Sequence, residues 1–192
     1  SDDDPLLPLA IRALQRSRPS ETADALLRFL ESEEREVVLA VARLMAVWKV
    51  EGAAPRLSAL GFAKHSTPIR AEIFQSLAIL GSTGLKEVLN RAESSEGHMR
   101  EAAAKALRHF PAATQQLLNL LESDPYDRVR MEASRSLQRI AGNEEDSKYF
   151  LPYDAAEAVQ KAVIERWKKY QFKIPVKGLK SSSAQSEHAK AQ

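Results

Sequence analysis

The chain has 192 residues, 44% of them apolar and 28% charged, with a formal net charge of +2. That balance suits a folded globular protein and excludes collagen-like, wholly disordered and membrane-spanning classes; apolar stretches such as Val37 to Ala42 are broken by a charge, here Arg43, far short of the roughly 18 residues a bilayer-crossing helix needs. Cysteine is absent, which excludes disulfides, thiolate metal sites, thiol nucleophiles and covalent haem attachment.

The chain opens Ser1-Asp2-Asp3-Asp4-Pro5 without an initiator Met. Such a start fits the mature end left by a removed leader or a start inside a longer protein. The reading leans to an exported bacterial protein and leaves the cytoplasm open. From there on helical periodicity dominates. No apolar/polar alternation is sustained and no Asn-Gly or Asp-Gly hairpin turn occurs. A half-repeat helix is expected over about 4–17, helix pairs over about 21–50, 53–81, 84–110 and 113–142, an acidic connector, and a final helix near 154–171. The first helices of the pairs show the i, i+3, i+4, i+7 spacing of one buried face: Ala23, Leu26, Leu27 and Leu30; Leu85, Val88, Leu89 and Ala92; Thr114, Leu117, Leu118 and Leu121.

The second helices carry the most informative feature. Ile69-Arg70 leads to Ile73 and Leu77, Met99-Arg100 to Ala103 and Leu107, and Val129-Arg130 to Ala133 and Leu137, so one pattern recurs every 30 residues. Self-similarity at that period marks stacked units, none of which buries its apolar face alone. Pro68 and Pro125 fit before or at helix starts, Gly81 and Gly142 fit after helix ends, and Ala40-Val41-Ala42 and Ala102-Ala103-Ala104 provide small side chains for close helix approach. The fold class expected is all-α.

The segment Asp124 to Leu137 closely resembles the second helix of HEAT-like repeats, in particular the short kind of about 30 residues found in phycobilin lyases and many bacterial proteins, and Gly97 to Leu107 is a second match. The unit at 68–81 departs at Ile73, and that at 35–48 has Val38 or Leu39 in place of Arg. The resemblance covers about 1–142. It implies a right-handed α-solenoid, or superhelix, of about four helix pairs, with 143–171 as connector and capping helix and 172–192 as a basic extended tail. Tyr153-Asp154 through Ala162 to Trp167 is also similar to the closing segment of HEAT-like arrays in exported bacterial proteins. A shared fold leaves activity open.

Candidate functional residues are few. In HEAT-like arrays the arginines equivalent to Arg70, Arg100 and Arg130 pair with an Asp or a carbonyl between layers, a structural role in which Asp127 is the expected partner. Lys105, Arg108, Arg135 and Arg139 add positive charge to the second helices, but Glu72, Glu101 and Glu132 lie among them, and a mixed, solvated face is the reading preferred over a nucleic-acid groove. Val159, Val163, Trp167 and Tyr170 form one stripe on the last helix, as expected of a cap packed on the final repeat. Residues 168–192 carry six lysines against Glu187, a surplus of five, which leaves the first 167 residues at about −3. That tail has too little apolar area to fold alone. Docking into an acidic partner is its expected use: Trp167, Tyr170, Phe172, Ile174, Val176 and Leu179 would supply apolar contact, with Lys177 and Lys180 on acidic surface.

His65, His98, His109 and His188 have no ligand-like spacing, and nucleophile-elbow, dinucleotide and Walker motifs are absent. No catalytic, cofactor or metal site is expected. The function expected is a non-catalytic protein–protein interaction scaffold or assembly subunit, with a protein partner of acidic surface and no membrane insertion. The alternatives are a phycobilin-lyase-like enzyme or chaperone handling a tetrapyrrole and, less favoured, a nucleic-acid binder.

Overall fold

The computed structural model describes residue 26, residues 28–63 and residues 67–172, with only the backbone of 67 and 68. The described residues are all-helical and hold no strand. They form α1 (Arg35–Trp48), α2 (Ala53–Phe62), α3 (Thr67–Ile79), α4 (Ser82–Ala92), α5 (Gly97–Leu107), α6 (Thr114–Ser123), α7 (Asp127–Ala141) and α8 (Glu157–Lys169), with single 3₁₀ turns at Pro111–Ala113 and Ser147–Tyr149. The helix expected over 4–17 lies outside the described residues. Of the helix expected before α1, residues 26, 28 and 29 are described and helical, and Leu26 and Leu30 are buried.

The helices pack in two rows. Within the units, α2 lies against α3, α4 against α5 and α6 against α7; along the rows, α1 meets α3, α3 meets α5, α5 meets α7, α2 meets α4, and α6 meets α8. Each odd-numbered helix from α3 to α7 is therefore covered by its own partner and by neighbours along its row. The 30-residue pattern is the sequence trace of that covering. Ile73, Ala103 and Ala133, and with them Leu77, Leu107 and Leu137, are all 0% exposed. These residues belong to one continuous core that runs from Leu26 to Trp167.

Small residues set the spacing. A Cβ on Gly61 would meet Ile73 Cγ2 at 2.8 Å, and one on Gly84 would lie far inside contact distance of the Leu77 carbonyl oxygen. Glycines on α2 and α4 thus let both helices approach α3. The row contact between α5 and α7 is equally close: Ser136 Oγ donates to the Ala104 carbonyl oxygen at 2.8 Å inside the core. At the end of α7, Gly142 adopts φ 68°, ψ 29°, and the N–H groups of Gly142 and Asn143 return to the carbonyls of Arg139 and Gln138, closing the last turn in the left-handed conformation glycine adopts without strain.

Beyond α7 the connector is pinned to the last repeat. Ser134 Oγ donates to Tyr149 O at 2.7 Å and accepts from Leu151 N at 3.1 Å, while Gln138 Nε2 reaches Asp146 O at 3.2 Å. Helix α8 starts at Glu157, three residues later than the sequence pattern suggests, because 151–156 form an irregular turn with Asp154 at φ 54°. Of the expected stripe, Val163 and Trp167 are buried, but Val159, in the first turn, is 44% exposed.

Gly84→Ala tests the close approach directly. In an open helix the change gains up to about 1 kcal/mol in propensity, whereas here the new methyl meets backbone, and overpacking of that kind costs about 1–3 kcal/mol or more. A net loss of stability in urea unfolding is expected; a gain would show that α4 has room to move off α3.

Candidate functional site

The repeat arginines serve the fold at the turns inside each unit. Arg70 Nη2 donates to the carbonyl of Ala63 at 3.2 Å, Arg100 Nη1 to those of Ser94 and Ser95 at 2.8 and 3.0 Å, and Arg130 Nη1 to that of Asp124 at 2.6 Å. Each therefore satisfies a carbonyl at or just beyond the C-terminal end of the preceding helix, where backbone acceptors have no partner inside the helix. Asp127 sits one turn before Arg130 on the same helix and pairs with it there; it does not join layers.

The residue that joins layers is Asp124. Its side chain is 2% exposed and accepts from Arg100 Nε at 2.6 Å, from Arg100 Nη2 at 3.1 Å and from Tyr126 N at 2.9 Å, while its own carbonyl takes Arg130. Hydrogen bonding to Asp124, more than its charge, raises the Arg100 pKa above the ordinary guanidinium value. The Tyr126 ring lies 5.3 Å from the Arg100 guanidinium and against Gly97, where an added Cβ would stand 3.1 Å from the ring. Nothing in the sequence marked Asp124: its pair with Arg100 spans 24 residues, and the equivalent positions 64 and 94 hold Lys and Ser.

The glutamates on the odd-numbered helices also cross between layers. Arg43 on α1 bonds Glu72 on α3 at 2.8 Å, and Arg108, at the C-terminal cap of α5, bonds Glu132 on α7. Glu132 is 7% exposed, so the mixed, solvated face expected of these residues is in part a set of interlayer pairs.

A strip one helical turn apart runs along the odd helices: Leu39, Arg43 and Val47; Ala71, Gln75 and Ile79; Glu101 and Lys105, continued by His109 just past the end of α5; Met131, Arg135 and Arg139. Val47 and Ile79 are about half exposed, and the strip is mostly apolar at the α1–α3 end, where Arg43 is paired with Glu72, and mostly basic at the α5–α7 end, where Glu101 is its one acidic member. Helices α3, α5 and α7, with Glu144 and Phe150 from the connector, wall a cleft of about 640 Å³. Lys105, Arg108, Arg135 and Arg139 converge on it against Glu132 and Glu144. Glu132 serves Arg108 and, at 3.8 Å, Arg135, and Glu144 serves Arg139, which leaves Lys105 without a carboxylate of its own among the described residues. Phe150 faces Arg135, with the guanidinium 5.3 Å from its ring. His109, half-buried beside the cleft, has its pKa pushed below the ordinary 6.5 by desolvation and then by Arg108 and Arg139.

The remaining sequence candidates lie on α8 and beyond it. Trp167 is 0% exposed, and its Nε1–H donates to Tyr149 O at 2.9 Å, so its side chain is internal. Phe172 stacks on it at 5.7 Å between centroids, and Tyr149 and Tyr170 complete the aromatic group. Ile174, Val176, Lys177, Leu179 and Lys180 lie outside the described residues. Among the described residues no group of three or more His, Asp or Glu side chains is placed to hold a metal ion, and no helix is long and apolar enough to cross a membrane. No family model matches the chain, and no curated protein is similar to it.

Two measurements follow from these charges. Asp124→Ala leaves Arg100 buried without its carboxylate and is expected to cost about 3–5 kcal/mol in urea unfolding, whereas Glu72→Ala, which releases the largely exposed Arg43, is expected to cost about 1 kcal/mol or less. His109, with its folded pKa below the unfolded value of 6.5, adds stability that is complete above that pH and is lost as the pH falls through 6.5 toward the folded pKa, because the unfolded chain takes up the proton first. The drop in unfolding midpoint over that interval is expected to be smaller in His109→Gln.

Proposed function

We propose that the chain is a non-catalytic protein–protein interaction scaffold, a right-handed α-solenoid of about four HEAT-like pairs that acts as a subunit of a larger, bacterial assembly. The observation that carries this reading is the alignment of one partly to fully exposed strip along successive odd-numbered helices, three of which wall a single cleft. Stacked helix pairs turn such strips into extended surfaces, and surfaces of that kind hold macromolecules through many contacts spread over several units. The resemblance of 124–137 and 97–107 to HEAT-like second helices supports the same reading. The lysine-rich segment from 173 onward adds a second contact, with acidic surface on the partner.

Isolation of the full chain from its native source under mild conditions tests this. Gel filtration with mass spectrometry of comigrating species is expected to show a stoichiometric partner and elution well ahead of a 21.3 kDa monomer, with a smaller complex once residues 173–192 are deleted. Elution alone at monomer mass, unchanged by the deletion, would overturn the proposal.

A further inference from the structure

We infer that the cleft between α3, α5 and α7 is the docking site for an acidic peptide segment of the partner, one whose carboxylates enter among Lys105, Arg135 and Arg139 and whose apolar side chains run along the strip toward Ile79 and Val47. The inference rests on the partner-binding reading and adds the site and the chemistry of its occupant.

Charge is the first argument. Four cations against two carboxylates leave the cleft with a surplus of two, and two of the four cations are held in place. Arg108 and Glu132 are locked across the layers, Arg108 also donates from Nε to the Lys105 carbonyl at 2.9 Å, and Arg135 rests over Phe150. Cations held by a packed scaffold lose little conformational freedom when a carboxylate arrives, so more of the interaction reaches the binding free energy. Burial, and after it the charges of Arg108 and Arg139, push the His109 pKa down, so the two arginines add a positive field at this wall. Gln75, exposed on the same wall, offers an amide to the peptide backbone. A volume of about 640 Å³ lies in the range of sites that engulf small ligands or short peptide stretches.

The shape of the strip decides between a peptide and a nucleic acid. A phosphate backbone gains affinity from every cation it neutralises, yet here the cations of the cleft lie on α7 and at the C-terminal end of α5, two carboxylates sit among them, and the strip continues onto α3 and α1 as Ala71, Gln75, Ile79, Val47 and Leu39, where the one cation, Arg43, is paired with Glu72. A polyanion has nothing to place against those side chains. A peptide with carboxylates at one end and Leu- or Ile-like residues at the other matches both halves.

Selection from a random 12-residue peptide library displayed on phage, on the immobilised full chain, tests the assignment. Enrichment of peptides that combine Asp or Glu with apolar residues is expected. A fluorescein-labelled copy of the most enriched peptide is expected to bind R135E/R139E and Lys105→Glu at least about tenfold more weakly than the unaltered chain, and to outcompete a 12-nucleotide single-stranded DNA. Both arginines are exposed, so the variants should fold, as circular dichroism will show; R135Q/R139Q, which adds no repulsion with Glu132 or Glu144, is expected to weaken binding in the same direction. Enriched peptides without acidic residues, binding untouched by these variants, or tighter binding of the DNA would each remove the cleft assignment. So would a failure to enrich any peptide. If the native partner still comigrates with the chain in any of those cases, the scaffold reading stands and only the site is wrong; if no partner comigrates either, both fall.

Discussion

Every helix between α3 and α7 in the odd-numbered row must bury apolar surface on several sides at once: against its own partner and against neighbours in the row. This constraint explains why positions 73, 103 and 133, and 77, 107 and 137, are fully enclosed while residues one or two places along vary from Glu to Arg to Ala. A pair of helices in isolation would leave the surface that now meets its row neighbours in water, at about 25 cal/mol for each Å², so the units are stable only in company. It also explains where variation is free. The outward strip escapes the constraint, and there the chain changes from mostly apolar at α1 and α3 to mostly basic at α5 and α7.

Charged groups refine the packing and do not drive it. The arginines at 70, 100 and 130 complete the backbone hydrogen bonding of the turns within their units, a task that needs a long side chain with several donors in a fixed fork. Asp124 is different in kind. It fastens Arg100 in one unit while its carbonyl receives Arg130 in the next, and its burial makes that junction more sensitive than the exposed Arg43–Glu72 pair. The cleft inherits rigidity from the same network, because Glu132 is anchored by Arg108 from the adjacent layer.

The helical fold class and the pairing of helices were legible because a 3.6-residue period and a 30-residue repeat are both one-dimensional signals. Pro68 in the first turn of α3 and positive φ at Gly81 and Gly142 were legible for the same reason, each being a local rule. The cleft was not. Lys105, Arg108, Arg135 and Arg139 stood out as charges, but whether they met each other depended on the register between α5 and α7, which no local pattern encodes. Asp124 was hidden by the same register, and Asp127, the nearer and more obvious carboxylate, turned out to pair within its own helix. Trp167 illustrates a further limit: a stripe on one helix shows which side is apolar, but the depth at which it is buried is set by Tyr149 and Phe172, which approach from outside the helix.

An accessible strip requires the two rows to stay open, with α1, α3, α5 and α7 side by side and that face uncovered, as it is among the described residues. Small-angle X-ray scattering of the full chain in dilute solution measures this most directly. An asymmetric distribution of interatomic distances with an extended tail, as an open stack of helix pairs requires, is the predicted result; a symmetric distribution of the kind a closed bundle gives would contradict it.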